Sequence, residues 1–200
     1  MSANRMLWVV GALVVTGMAL LLPVLMFAGA NPVVVIETSM GDITVELYQG
    51  QAPITVKNFL HYTSEKWYDG TVFHRVIPGF MIQGGGWEAG ELGLREKKTR
   101  FPPIKSEANN GVLNKKGTIA MARTKDPDSA SSEFFINVAD NEDLDHDESR
   151  GRPGYTVFGR VTEGMDVAEK IAKVRTGIDE SGLKDVPERA ITIKSVRQIR

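Results

Sequence analysis

Arg75 and Gln83 flank a Pro78-Gly79 pair inside an otherwise apolar stretch, Phe73-His74-Arg75-Val76-Ile77-Pro78-Gly79-Phe80-Met81-Ile82-Gln83-Gly84-Gly85. Val72 to Ile77 alternates with the period of a strand, which predicts Phe73, Arg75 and Ile77 on one face and Val72, His74 and Val76 on the other. Pro presets one backbone angle and Gly permits a positive one, so the pair reads as a turn. Phe80 to Gln83 then returns as a second strand and brings Gln83 near Arg75. A guanidinium and a carboxamide offer convergent N–H donors, the first permanently charged. An isolated Arg in a strand ordinarily lays its stem over apolar surface and keeps its head in water. Here Phe80, Met81, Phe134, Phe135 and Leu144 supply apolar surface beside the donors, an inventory suited to holding an apolar ring next to an amide.

Other chemistries find less support. His61, His74 and His146 are present, but there is no nucleophile-elbow pattern and no Cys, which argues against hydrolase chemistry and excludes thiolates and disulfides. Gly84-Gly85-Gly86 lacks the Lys-Ser/Thr of a phosphate loop and reads as close passage of backbone. Asp140, Asp143, Asp145 and Asp147 form an acidic run, but counting from Asp143 the positions that need Gly and Glu in a calcium loop hold Glu148 and Gly154. That run is a solvated loop, and neither metal nor cofactor is expected.

The elements that must position these residues are mostly short strands. Val33 to Thr38 and Ile43 to Leu47 form a hairpin about Ser39-Met40-Gly41-Asp42. A helix starts at Pro53 and carries Val56, Phe59, Leu60 and Thr63 on one stripe until Tyr68-Asp69-Gly70, with His61 off that stripe. Trp87 to Lys116 reads as a long polar connection, the kind that usually forms a functional wall. Thr118 to Ala122, Phe134 to Val138, Tyr155 to Val161 and Ala190 to Val196 are further strands. Val167, Ile171 and Val174 mark a second helix after Gly164. Roughly eight short strands and two helices predict a mainly all-β fold, a closed eight-stranded antiparallel barrel capped by two helices.

Composition narrows the setting. The 200 residues carry a formal net charge of −1, and subtracting Arg5, the one charge in residues 1–30, gives −2, so no basic field recruits nucleic acid. Residues 31–200 suffice for one barrel domain. Arg5 precedes an uncharged apolar run from Met6 to Ala30 that predicts an N-terminal apolar helix and reads as an export signal. Its length favours a retained anchor touching the membrane through residues 6–27, whereas Pro23 and Ala28-Gly29-Ala30 favour cleavage after Ala30. Either way the chain is placed in the periplasm or on the extracytoplasmic face of the inner membrane.

Phe73 to Gly85, Gly117-Thr118-Ile119-Ala120-Met121-Ala122-Arg123-Thr124, Ser132-Glu133-Phe134-Phe135-Ile136-Asn137 and Tyr155-Thr156-Val157-Phe158-Gly159, in this order, resemble the cyclophilin peptidyl-prolyl isomerases, in their bacterial branch. The resemblance covers nearly everything from Val33 onward. It implies a proline pocket on the outer face of the barrel and isomerase activity on X-Pro bonds of unfolded or partly folded polypeptides, by a monomer. The alternative is a chaperone that holds proline peptides on the same scaffold. By matching positions, Arg75 is implied as the catalytic donor. Phe80, Met81, Phe135 and Leu144 are implied as the proline pocket, Gln83, Ala122, Arg123 and Thr124 as the peptide-backbone contacts, and Tyr155 stands where relatives carry His or Tyr. Two positions depart from the pattern. Glu133 replaces the usual Gln, and as a carboxylate it can only accept hydrogen bonds and could pair with Arg75, and Asp143 replaces an aromatic residue. Together they predict a preference for basic residues flanking the proline.

Overall fold

The computed structural model describes residues 30–91, 93–99 and 101–200. The expected N-terminal helix, with the cleavage or anchoring of residues 1–30, lies outside the described residues. Among those described, no helix is long and apolar enough to cross a membrane.

Among the described residues, eleven strands and two α-helices follow in chain order. The strands are β1 (Val33–Thr38), β2 (Gly41–Leu47), β3 (Thr71–Ile77), β4 (Met81–Gly90), β5 (Gly93–Glu96), β6 (Thr118–Met121), β7 (Phe134–Asn137), β8 (Val157–Glu163), β9 (Thr176–Gly177), β10 (Val186–Pro187) and β11 (Ile193–Gln198). The helices are α1 (Pro53–Ser64) and α2 (Met165–Ile171). Eight strands pair antiparallel in the order β11-β1-β2-β8-β6-β7-β4-β3, with β5 on the outer end of β4. The two ends of this sheet meet where Phe73 N–H donates to Ile191 O at 3.0 Å and Gly70 N–H to Ile193 O at 2.9 Å, leaving a nearly closed barrel. Closure matters because it removes the open strand edges that would otherwise template aggregation.

Alternation along each strand separates two apolar sets. The interior is filled by Ile36, Ile43, Val45, Phe73, Ile82, Ile119, Phe134 and Phe158, among others, with α1 adding Val56 and Phe59 and α2 adding Ala168 and Ile171. Phe59 stands at the centre, its ring 5.1 Å from Tyr68, 5.2 Å from Phe158 and 5.6 Å from Phe134. The barrel is therefore a packed core and not a container for a small apolar ligand. The smaller set, Met81, Ala120, Phe135 and Val157, lies on the outer face.

The structure departs from the sequence reading in several places: β5, β9 and β10 are additional strands, and α2 ends at Ile171, so Val174 lies beyond the helix it was expected to mark. The connection after Trp87 is not wholly irregular, because β4 runs on to Gly90 and returns as β5. Gly90 and Gly93, with Glu88, Glu91 and Glu96, hide this arm in the sequence, since they carry little strand propensity. The remainder of that connection serves α1. Ala52 offers no capping side chain, and Glu107 takes over, accepting from Ile54 N–H at 3.1 Å, Thr55 N–H at 2.9 Å and Thr55 Oγ1 at 2.7 Å. A carboxylate at a helix N-terminus satisfies orphan donors and complements the helix dipole.

Replacing Phe59 by Ala is expected to lower unfolding free energy by about 3–5 kcal/mol, through lost burial and the cavity left among three rings. Urea denaturation checks this, and a loss below about 1 kcal/mol would contradict the central placement of Phe59.

Candidate active site

A bulge in β3 decides what reaches the outer face. Phe73 pairs with Gly84 and Arg75 with Gln83, so His74 is an extra residue opposite a single step of β4. The expected common face of Phe73 and Arg75 is thereby corrected. Phe73 turns into the core at 1% exposure, and Arg75 comes out beside Gln83. From there one row crosses the sheet, because Gln83 pairs with Phe135, Phe135 with Ala120 and Ala120 with Val157. Phe134, the immediate neighbour of Phe135, points inward and is not part of the pocket, as pleating requires.

The row and its flanks enclose a cavity of about 220 Å³ lined by Arg75, Phe80, Met81, Gln83, Ala122, Arg123, Phe135, Leu144 and Tyr155. Larger grooves lie elsewhere, beside Ile178 and beside Met40, but neither combines a cation with an aromatic floor. The Tyr155 ring meets Phe135 edge-on at 5.7 Å and carries the Arg123 guanidinium at 4.3 Å on its face. Arg123 Nε and Nη2 donate to Gly154 O at 3.0 and 2.7 Å, so that charge holds the wall in place. Among the described residues, the backbone N–H and C=O of Arg123 make no hydrogen bond, which leaves them able to pair with an extended peptide.

A buried amide network holds the other wall. Asn137 and Asn114 are 0% and 1% exposed. Asn137 Nδ2 donates to Thr118 Oγ1 at 2.8 Å, and Asn114 Nδ2 to Leu144 O at 3.0 Å. Asn141 Nδ2 reaches Phe80 O at 2.9 Å. Phe80 and Leu144 thus owe their positions to polar groups beneath them. No periodicity in the sequence signals this network.

Glu133 takes a different place from the one expected. It lies off the cavity, where its Oε2 accepts from Gln83 Nε2 at 2.7 Å and stands 3.4 Å from His74 Nε2. Room for it exists because an added Cβ at Gly86 would collide with its carboxylate, and Gly85 beside it needs a φ of +91° under the Ser132 carbonyl. The pairing open to Glu133 with Arg75 is not made, and Arg75 instead has Asp185 as its carboxylate, Nε to Oδ2 at 3.8 Å. Because a carboxylate only accepts, the Gln83 amide must turn its NH2 to Glu133, leaving Oε1 for the cavity. Thr124 also stands outside the lining, its N–H and hydroxyl both bonded to Ser129 Oγ. Asp143 is fully exposed and paired with Arg152 at 3.1 Å, so the preference for basic flanking residues expected from Glu133 and Asp143 loses this support as well as that of Glu133.

With this geometry in view, the chain can be compared with known proteins. Residues 33–198 match the family of cyclophilin-type peptidyl-prolyl cis-trans isomerases. A peptidyl-prolyl cis-trans isomerase of Acinetobacter baylyi is 48% identical over 195 residues, covering 97% of this chain and 95% of the relative. Peptidyl-prolyl cis-trans isomerase B of Escherichia coli is 52% identical over 165 residues, 82% of this chain and 97% of the relative. A crystal structure of a cyclophilin-type isomerase from Cryptosporidium parvum superposes with a TM-score of 0.68 at 25% identity, covering 85% of this chain and 98% of that one. The same protein in the presence of the dipeptide Ala-Pro gives 0.65 at 26% identity, covering 82% of this chain and 96% of that one. This chain belongs to the cyclophilin family and is a peptidyl-prolyl cis-trans isomerase.

Burial works to raise the Glu133 pKa, but contact with His74 and hydrogen bonds from Gln83 and Trp87 outweigh it and leave the pKa lowered from 4.5. A lowered carboxylate pKa means that the unfolded chain binds the proton more readily, so this contribution is present above pH 4.5 and is lost as pH falls through the folded value. Glu133→Gln is therefore expected to flatten the acid limb of stability against pH. Urea midpoints of both proteins between about pH 6 and pH 3 test this; parallel curves would show that Glu133 contributes nothing to the limb.

Proposed function

We propose that Arg75 is the catalytic donor and that Phe80, Met81, Phe135, Leu144 and Tyr155 grip the prolyl ring while the preceding residue rotates. Gln83 accepts a substrate N–H through Oε1, and the Arg123 backbone, with Ala122 beside it, pairs with the peptide. The observation that carries this reading is the shared cavity, whose lining brings Arg75 together with Phe80, Phe135 and Tyr155, while the second cation, Arg123, is taken up by Gly154 O and the Tyr155 face. A proline-containing polypeptide is the substrate class, supported by the Ala-Pro dipeptide present with the Cryptosporidium structure.

Rotation about an X-Pro bond is slow because twisting removes amide resonance, against a barrier of roughly 18–20 kcal/mol. In the twisted state the prolyl nitrogen regains a lone pair. A guanidinium above that nitrogen gains an acceptor that the planar amide does not offer, so its hydrogen bond favours the transition state over the ground state. Moving from tens of seconds to milliseconds takes about four decades, or roughly 5–6 kcal/mol. One charge-assisted hydrogen bond provides about 1.5–3 kcal/mol. The remainder falls to the pocket, which excludes water and orients the ring.

Arg75→Ala is expected to lower turnover at least about a hundredfold, equivalent to roughly 2.7 kcal/mol, with the fold unchanged. Exchange NMR on an Ala-Pro peptide reads this directly. Undiminished exchange would remove Arg75 from the mechanism, and peptide binding without accelerated exchange in the unaltered protein would point to a holding chaperone.

We further infer that the protein is a monomer of the bacterial exported branch, working on exported polypeptides in the periplasm or at the outer face of the inner membrane. The uncharged run behind Arg5 supports this, as does an Acinetobacter match whose 97% coverage must reach into that run. Cell fractionation with N-terminal sequencing is expected to recover the chain outside the cytoplasm, either beginning after Ala30 or intact in the membrane. Recovery of the intact chain in the soluble cytoplasm would refute the placement.

A further inference from the structure

The loop that leads back from α2 toward β11 ends beside Arg75. Its stem is the β9–β10 pair, and its tip is tied to the β4–β5 arm by Asp179. Asp179 Oδ1 accepts from Leu183 N–H at 2.9 Å and Ser181 N–H at 3.1 Å, while Oδ2 accepts from Leu94 N–H at 3.1 Å. At the end of the loop Asp185 adopts the left-handed backbone conformation, φ 61°. Its carbonyl accepts from Val76 N–H at 2.8 Å, one residue past Arg75. That bond fixes the Asp185 backbone against β3 and sets its carboxylate 3.8 Å from Arg75 Nε. Among the described residues, neither side chain has another ion pair or hydrogen bond. Both are nearly half exposed, at 43% and 44%.

We propose that Asp185 is a positioning residue for Arg75, holding the guanidinium by its Nε edge so that the terminal nitrogens lead into the prolyl cavity. This rests on the reading of Arg75 as the donor. The guanidinium is a rigid plane on a flexible stem, so a carboxylate fixed at one edge restricts where the opposite edge can point. Without it the exposed stem samples several rotamers, and fewer of them place a donor over the prolyl nitrogen. The effect falls on turnover and not on ground-state binding, because the donor finds its acceptor only in the twisted amide. The loop is consistent with this role. Few residue types other than Gly, Asn and Asp accept the left-handed conformation readily, and of these only Asp brings a charge.

Asn and Gly both tolerate that backbone, so Asp185→Asn and Asp185→Gly remove the charge without forcing the loop. Each is expected to lower kcat about three- to fivefold at unchanged KM on an Ala-Pro peptide, the scale of an exposed ion pair. The 15N-detected Nε–H signal of Arg75 should shift in both variants, and the thermal midpoint should stay. In an Arg75→Lys background, which has no Nε, the Asp185→Asn loss should disappear. An unchanged or raised kcat, or the same loss in the Arg75→Lys background, would overturn the proposal. A fully active Arg75→Lys or Arg75→Ala protein would instead overturn the assignment of Arg75 itself, so the two failures are separable.

Discussion

Phe73 and Arg75 stand two residues apart, so unbroken alternation would put a core ring and a charged side chain on the same face of β3, and the extra residue His74 resolves this conflict. The bulge lets Phe73 fill the core and delivers Arg75 to the same outer row as Gln83 and Phe135. In an unbroken strand Arg75 would follow Phe73 inward, where an unpaired cation is strongly disfavoured, or both would face out and the core would lose a ring. Packing and chemistry are compatible here only because the register slips by one position.

The floor of the site is apolar, but its walls are held by polar groups that never touch it. Asn114, Asn137 and Asn141 set Phe80 and Leu144 from below, and the Arg123 guanidinium braces Gly154 and Tyr155. Such networks are directional and need every member satisfied, so they fix geometry more tightly than apolar contact alone. Rigid walls matter for an enzyme that breaks no bond, since its effect comes from where a ring and a donor are held.

Two carboxylates border the site and do different things. Glu133, largely enclosed, orients the Gln83 amide and contacts His74, while Asp185, half exposed, stands at the edge of Arg75. They are interchangeable in chemistry and not in setting. Enclosure magnifies the first through low local polarity, and water screens the second, which therefore acts through geometry more than through energy.

The sequence by itself determined the barrel, its two helices and most of the cavity lining. Strand alternation, Pro53, Gly164 and the turn pairs are local signals, and Arg75, Phe80, Met81, Gln83, Phe135, Leu144 and Tyr155 sit in or near motifs whose order survives folding. Tertiary structure alone decided which carboxylate meets which donor. Glu133 turns to His74 and Gln83, and it is Asp185, far along the chain, that reaches Arg75. The β4–β5 arm and the Glu107 cap on α1 were equally hidden. Propensity and period report on neighbours along the chain, whereas these pairings depend on register, on a bulge and on loop closure, which exist only once distant segments meet.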